Sequence, residues 1–175
     1  MILNLLSRVT TALDDNDIQY MLSGGLALNN YSIPRMTLDI DIVVELSDLN
    51  IEQFLSAFSE NFYMDKETVR QETKRKGMFN IIDHQSGFKI DFILRKNTEY
   101  RISEFKRRQK TKINDLEIWI VSIEDLVISK IEWIQTYQSD KQIDDIRSLM
   151  ANPEIDKNYV IEWCKKLNLK TFNLI

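Results

Sequence analysis

Two rhythms of apolar residues run along this chain, one helical and one alternating. Ile2, Leu5, Leu6, Val9 and Leu13 recur at helical spacing, so residues 2–14 read as an amphipathic helix. IQYMLSGG (18–25) reads as a short apolar strand that ends at a glycine pair, with a helix carrying LALNNY beginning at the pair. After Pro34, the run Thr37 to Glu45 (TLDIDIVVE) alternates and then becomes continuously apolar, as a strand with one protected face does. That phase sends Leu38, Ile40 and Ile42 into the core. Asp48 or Asn50 is placed to cap a helix through Phe58, with Leu49, Phe54, Leu55 and Phe58 facing inward.

Residues 77–95 (GMFNIIDHQSGFKIDFILR) have two β-forming arms about a turn near His84 to Gly87, which predicts a hairpin. A charged helical stretch, EYRISEFKRRQ, follows. KTKIN and LEIWIVS then flank Asp115 as a second hairpin. Three helices finish the chain: one opened by SIED at Ser122 in the capping-box pattern, one over Asp140 to Met150, and one over Lys157 to Leu167. Strands with interleaved helices followed by an all-helical tail predict an α+β fold: a mixed, twisted sheet with flanking helices over 1–121, and a C-terminal helical bundle over 122–175 packed on it.

Composition narrows the class. With 175 residues, 43% hydrophobic and 29% charged, the chain is long enough to bury one core and falls in the globular range. No window nears the roughly 20 apolar residues that span a bilayer, and the opening lacks the basic start of a signal peptide, so a soluble cytoplasmic protein is expected. The single cysteine, Cys164, excludes a disulfide framework or a cysteine-based zinc site and reads as a half-buried helix residue. The single histidine, His84, reads as an exposed turn residue. Trp119, Trp133 and Trp163 occupy core-like positions in a strand and two helices. Charge is uneven: residues 66–112 hold 14 basic and 6 acidic side chains, whereas residues 1–65 hold 2 and 10. Such a block is either a solvated face or a surface for a polyanion such as RNA.

The candidate chemistry lies in the acids. Side chains two apart on a strand share a face, so Asp39 and Asp41 project together. Two crowded carboxylates in an otherwise apolar strand repel unless a cation lies between them, and hard oxygen donors suit Mg²⁺ or Mn²⁺. Asp91, flanked by Ile90 and Phe92, leaves its strand opposite its apolar neighbours and can join the pair. Three such acids meet the needs of two-metal phosphoryl transfer. Gly24 and Gly25, at a strand-to-helix turn, allow backbone N–H groups to approach a phosphate. Thirteen residues separate Gly25 from Asp39, enough for one short helix and a return beside the turn.

SGGLALNNYSIPRMTLDIDIVV resembles the signature of polymerase β-type nucleotidyltransferases, and KIDFI resembles the strand that carries their third carboxylate. Within that superfamily, Gly-Gly-x-Ala-Leu and the R-x-T-x-D-x-D lead-in are similar to small bacterial enzymes of the AbiEii and MenA toxin group, and more distantly to antibiotic nucleotidyltransferases. The resemblance covers residues 18–95 specifically. It implies that the turn Ser23, Gly24 and Gly25 binds the triphosphate of an NTP, that Asp39, Asp41 and Asp91 bind metal, and that Arg35 and Thr37 lie near the phosphates. Lys130 matches the toxin group's nucleotide-binding lysine, and Lys141 and Asp145 fall near a later lysine and acid of its tail, although Gln142 replaces one acid of that pattern. Asp145 otherwise reads as a helix-surface charge or a partner for Arg147. The function implied is transfer of a nucleoside monophosphate from a Mg-NTP to an acceptor, with RNA, a small-molecule antibiotic and protein as the acceptors in contention and an antitoxin protein as a partner. The contrasting class is a non-catalytic nucleotide- or partner-binding module of the same fold.

Overall fold

The computed structural model describes residues 2–175. In chain order, helix α1 (Ile2–Asp15) leads into strand β1 (Tyr20–Ser23), helix α2 (Gly24–Tyr31), strand β2 (Ile40–Val44) and helix α3 (Ile51–Phe58). Strand β3 (Phe62–Tyr63), helix α4 (Lys66–Arg75), the hairpin β4 (Met78–Asp83) and β5 (Lys89–Leu94), and helix α5 (Glu99–Lys106) follow. A second hairpin, β6 (Gln109–Ile113) and β7 (Leu116–Ile120), precedes the helices α6 (Ile123–Ile134), α7 (Asp140–Met150) and α8 (Lys157–Lys166). The strands form one mixed sheet in the order β3-β4-β5-β2-β1-β7-β6. β2 runs antiparallel to β1 and parallel to β5, and these three strands form its centre. None of the described helices is long and apolar enough to cross a membrane.

The sheet's two faces have different work. On one, Phe54 and Phe58 of α3 pack with Phe79 and Phe92 of the hairpin, with contacting ring centroids 4.6 to 5.8 Å apart. Edge-to-face and offset contacts of this kind pin Phe92 inward. Because strand side chains alternate, pinning Phe92 and Ile90 commits Asp91 to the other face. The same logic applies in β2, where Ile40 and Ile42 are fully buried and Asp41 lies between them.

Across that second face lies α6, whose buried residues Ile123, Leu126, Val127, Ile128, Ile131 and Ile134 surround most of its girth, as expected of a central helix. It packs on α2, α7 and α8. Its start is fixed as its sequence predicts: the Ser122 hydroxyl accepts from the Asp125 N–H at 3.2 Å.

Several expectations need correction. β2 begins at Ile40 rather than Thr37, because the preceding residues form an irregular loop in which Asn29 exchanges two hydrogen bonds with the backbone of Arg35, both at 2.9 Å. Leu38, outside the strand, is therefore 60% exposed rather than in the core. Leu49 precedes α3 and is exposed; Ile51 takes the inward position. Trp133 is 55% exposed, because the apolar positions around it already fill the contacts of α6. Cys164 is fully rather than half buried, and burial pushes its thiol up to about 11. Residues 62–75, which carry no clear apolar period, form β3 and α4; α4 buries only Val69, Glu72 and Thr73.

Candidate functional site

Three strands bring polar side chains into one row. Ser23 in β1 stands in register with Asp41 in β2, and Asp41 stands in register with Asp91 in β5. In-register residues on neighbouring strands share a face and lie about 5 Å apart, so Asp41 and Asp91 are adjacent. Asp39 follows from the loop, two residues before Asp41 and on the same side, where it is exposed. A cleft of about 640 Å³ opens over this row, lined by Ser23, Gly24, Gly25, Arg35, Thr37, Asp39, Asp41, Asp91 and Lys130 among others. This volume suits a small-molecule ligand. All nine site residues expected from the sequence therefore meet in one cleft.

The glycine pair is there because the loop and the acid press onto it. Gly24 begins α2 with a φ of +61°, and a Cβ there would come within 1.9 Å of the Asp41 Oδ2. A Cβ on Gly25 would reach 2.6 Å from the Thr37 Oγ1. Any side chain at either position would push the carboxylate and hydroxyl off the helix start. The Asp41 carboxylate lies against this helix start, where the Gly25 N–H favours its charge, so the open N-terminal turn of α2 already faces negative charge.

Electrostatically, Asp41 is the strained member. Burial first, then the neighbouring charges of Asp91 and Asp39, raise its pKa above the ordinary carboxylate range, against the opposing pull of the Gly25 N–H and Lys130. Asp91 has a cation that sequence reading missed: the Lys89 Nζ lies 2.7 Å from its Oδ2. Lys89 is two residues away on the same strand, so the same alternation that aligned the acids was the available signal. Among the described residues, no three histidine, cysteine, aspartate or glutamate side chains are already drawn together as a metal cage.

The opposite wall holds its cations through one acid. Asp145 accepts from Arg35 Nε and Nη2, both at 2.8 Å, and from Lys130 Nζ at 2.7 Å. It is 4% exposed and so is neither a helix-surface charge nor a partner for Arg147, which lies 3.5 Å from Asp144 instead. Burial disfavours its charge, but the bonds from Arg35 and Lys130 outweigh this and hold its carboxyl below the usual range. Burial in turn lowers the Lys130 pKa, with Asp145 opposing. Lys130 also donates to Gln142 Oε1 at 3.0 Å. Asp145 shares the buried phase of α7 with Leu149, four residues on, which is how its inward position could have been read. Lys141 reaches the cleft and is exposed.

Comparison with known proteins gives this cleft a context. No curated protein matches the sequence. Among solved structures, the chain is similar to the antibiotic-resistance factor ANT(2'')-Ia in complex with adenylyl-2''-tobramycin, at 14% identity over 94% of this chain and 97% of that chain, with a TM-score of 0.59. It is also similar to the lincomycin-bound lincosamide antibiotic adenylyltransferase LnuA, at 11% identity over 83% and 94% of the two chains and a TM-score of 0.54. An antigenic nucleotidyltransferase-like protein from Paracoccidioides brasiliensis is similar at 20% identity over 94% and 85%, with a TM-score of 0.55. These likenesses establish a nucleotidyltransferase fold. The family described as "Nucleotidyl transferase AbiEii toxin, Type IV TA system" matches residues 4–162, nearly the whole chain. The chain belongs to the AbiEii family of nucleotidyl transferase toxins.

Proposed function

We propose that the cleft transfers a nucleoside monophosphate from a metal-bound NTP to an acceptor hydroxyl or phosphate, with Asp39, Asp41 and Asp91 as the metal ligands. The observation that carries this reading is the adjacent pair Asp41 and Asp91 beside the glycine turn, where burial and like charge raise the Asp41 pKa. Three oxygen-donor carboxylates on one cleft fit a hard divalent cation, whose charge would relieve their repulsion. When bound, Mg²⁺ or Mn²⁺ would supply charge neutralisation for the triphosphate and acidify the acceptor hydroxyl. The chain's own groups do the positioning. The N-terminal turn of α2, with Ser23, Gly24 and Gly25, meets phosphate oxygens; Thr37 offers a hydroxyl; Arg35 and Lys130, fixed by Asp145, offset the triphosphate's charge. The acceptor oxygen attacks the α-phosphorus, the bond to the bridging oxygen breaks, pyrophosphate leaves, and the proton of a hydroxyl acceptor passes to solvent. In this reading residues 1–121 act as the core and residues 122–175 as a cap that supplies Lys130.

RNA is the favoured acceptor. A polycationic drug such as the tobramycin seen on ANT(2'')-Ia would need free carboxylates. Beyond the three proposed metal ligands, the cleft's acids are Glu104 and Glu132, and Arg101 pairs with both. The rim instead carries the exposed lysines Lys96 and Lys141. The family's toxin character adds an antitoxin counterpart to the proposal. The test is incubation of purified protein with each α-labelled NTP, Mg²⁺ or Mn²⁺, and either total RNA or aminoglycosides. Label entering RNA, and lost with chelator, is the expected result; no transfer from any NTP with either metal sinks the reading.

A further inference from the structure

The helical wall of the cleft carries two aromatic rings that packing does not use. Trp133 is 55% exposed and Tyr137 66% exposed, yet both line the cleft. Trp133 lies three residues after Lys130 on α6, and the Tyr137 N–H donates to the Trp133 carbonyl at 3.2 Å, carrying the helical turn one step further. Lys130 and Trp133 thus share one side of α6, and Tyr137 follows just past the end of the helix at Ile134. The two rings have centroids 6.1 Å apart and planes tilted by 34°, and together they form one exposed aromatic surface on the cleft wall. Leaving two adjacent large aromatic surfaces in water is costly, and such surfaces mark a place where something apolar or π-faced docks.

We propose that Trp133 and Tyr137 are the stacking platform for the base of the bound NTP, a proposal that rests on the NTP reading of the cleft. Helical rise puts Trp133 about 4.5 Å beyond Lys130 along α6, and the Tyr137 ring lies a further 6.1 Å from that of Trp133. A triphosphate held at Lys130 and the carboxylates carries its base away from them by its ribose and α-phosphate, and the platform occupies that distance. Across the cleft, Met78, 53% exposed, supplies a second apolar wall for the ring. Stacking of this kind accepts every base, since each has a π face, so the platform supplies affinity more than base choice.

The test is calorimetric binding of each Mg-NTP and of Mg-tripolyphosphate, which has phosphates but no base, to the wild type and to Trp133→Ala, Trp133→Phe and Tyr137→Ala. Trp133 and Tyr137 are exposed, so the variants should fold. The expected result is NTP affinity about tenfold or more weaker in Trp133→Ala, largely restored in Trp133→Phe and somewhat reduced in Tyr137→Ala, with tripolyphosphate affinity unchanged throughout. Equal loss for both ligands, or loss for neither, overturns the platform. So does unaltered NTP binding combined with a raised KM for the acceptor, which would assign the rings to the acceptor. Wild-type protein that binds neither ligand overturns the NTP reading itself and the platform with it.

Discussion

Two groups of acids stand in this fold under opposite regimes. In the cleft, Asp41 and Asp91 are side by side, Asp39 adds a third charge, and among the described residues Lys89 on Asp91 is the one cation in an ion pair with them. Where α5 and α8 meet the start of α6, Asp125 is more deeply buried, at 0% exposed, yet every side of it is answered. Its Oδ2 accepts from Ser122 Oγ at 2.7 Å and Arg107 Nε at 3.0 Å, and its Oδ1 from Tyr159 at 3.1 Å. Arg107 also bonds Glu124 at 3.0 Å and stacks over the Tyr159 ring. Depth of burial therefore does not separate a proposed metal ligand from a structural acid. The separation comes from whether the protein itself supplies the partners: Asp125 is complete without a ligand, and Asp41 is not.

Removing the charge at Asp41 should have the largest effect. Asp41→Asn should cut nucleotidyl transfer by roughly 10²–10³-fold or more, as loss of a charge-stabilising group at a reacting centre does. The same change should raise the melting point of the ligand-free protein by roughly a few degrees. The sign follows from linkage: the folded pKa of Asp41 is raised, so its contribution to stability is present below the ordinary carboxylate pKa and is lost as pH rises through the folded value. Melting in chelator should therefore show a larger advantage for Asp41→Asn at pH 8 than at pH 4. An advantage that shrinks with rising pH would mean that the cleft acids are already satisfied.

The opposite signature belongs to the Asp125 cluster. Arg107→Ala leaves a fully buried carboxylate short of its cation and should cost about 3 kcal/mol in denaturant unfolding, the low end for broken buried pairs because Arg107 is itself partly exposed. Transfer per folded molecule should stay near wild type. A loss of activity without a loss of stability would reverse the roles assigned to the two acid groups.

How much of this is legible in sequence depends on the range of the deciding contact. The common face of Asp41 and Asp91 follows from strand alternation beside buried isoleucines and phenylalanine, which is local. The capping box at Ser122 is local too. Asp145 is obscured because its partner Arg35 lies 110 residues away, in a loop whose course is set by Asn29. That loop also misplaces Leu38, since the apolar alternation of 37–45 runs on past the point where the strand begins. Trp133 reads as core because α6 is apolar nearly all round, so sequence offers no sign of which face opens to the cleft. α4 is hidden because its buried face consists of Val69, Glu72 and Thr73, a pattern that composition reads as surface.

Asp145 lies between the two regimes, a satisfied acid that holds two cations over the cleft. Asp145→Asn should lose in both assays: about 1–2 kcal/mol of stability, since Arg35 and Lys130 are left facing each other without a counterion, and roughly 10- to 100-fold in transfer as they shift. Loss confined to stability would make it a purely structural joint. Loss confined to transfer would show that the two cations hold their places without it.

The smallest effect is expected at the rim, and it bears on the acceptor. The basic excess of residues 66–112 overstates the charge on offer, because Arg107 belongs to Asp125 and Arg108 stacks on Phe105 and Trp119, 4.4 and 4.8 Å from their ring centroids. Substituting those arginines would disturb packing as much as any RNA binding. Lys96 and Lys141 are better probes: both are exposed, both line the cleft, and neither has a carboxylate partner among the described residues. Lys106 and Lys112 are exposed but do not line the cleft, and serve as the control. With an RNA acceptor, the double change Lys96→Ala and Lys141→Ala should raise the RNA KM a few-fold. It should also flatten the slope of log KM against log salt by about 0.7 for each single-strand phosphate that a lysine no longer neutralises. The Lys106→Ala and Lys112→Ala pair should leave both quantities unchanged. Equal effects from the two pairs would reduce the rim to general field strength, and a reaction indifferent to salt and to either pair would point to a small uncharged acceptor instead.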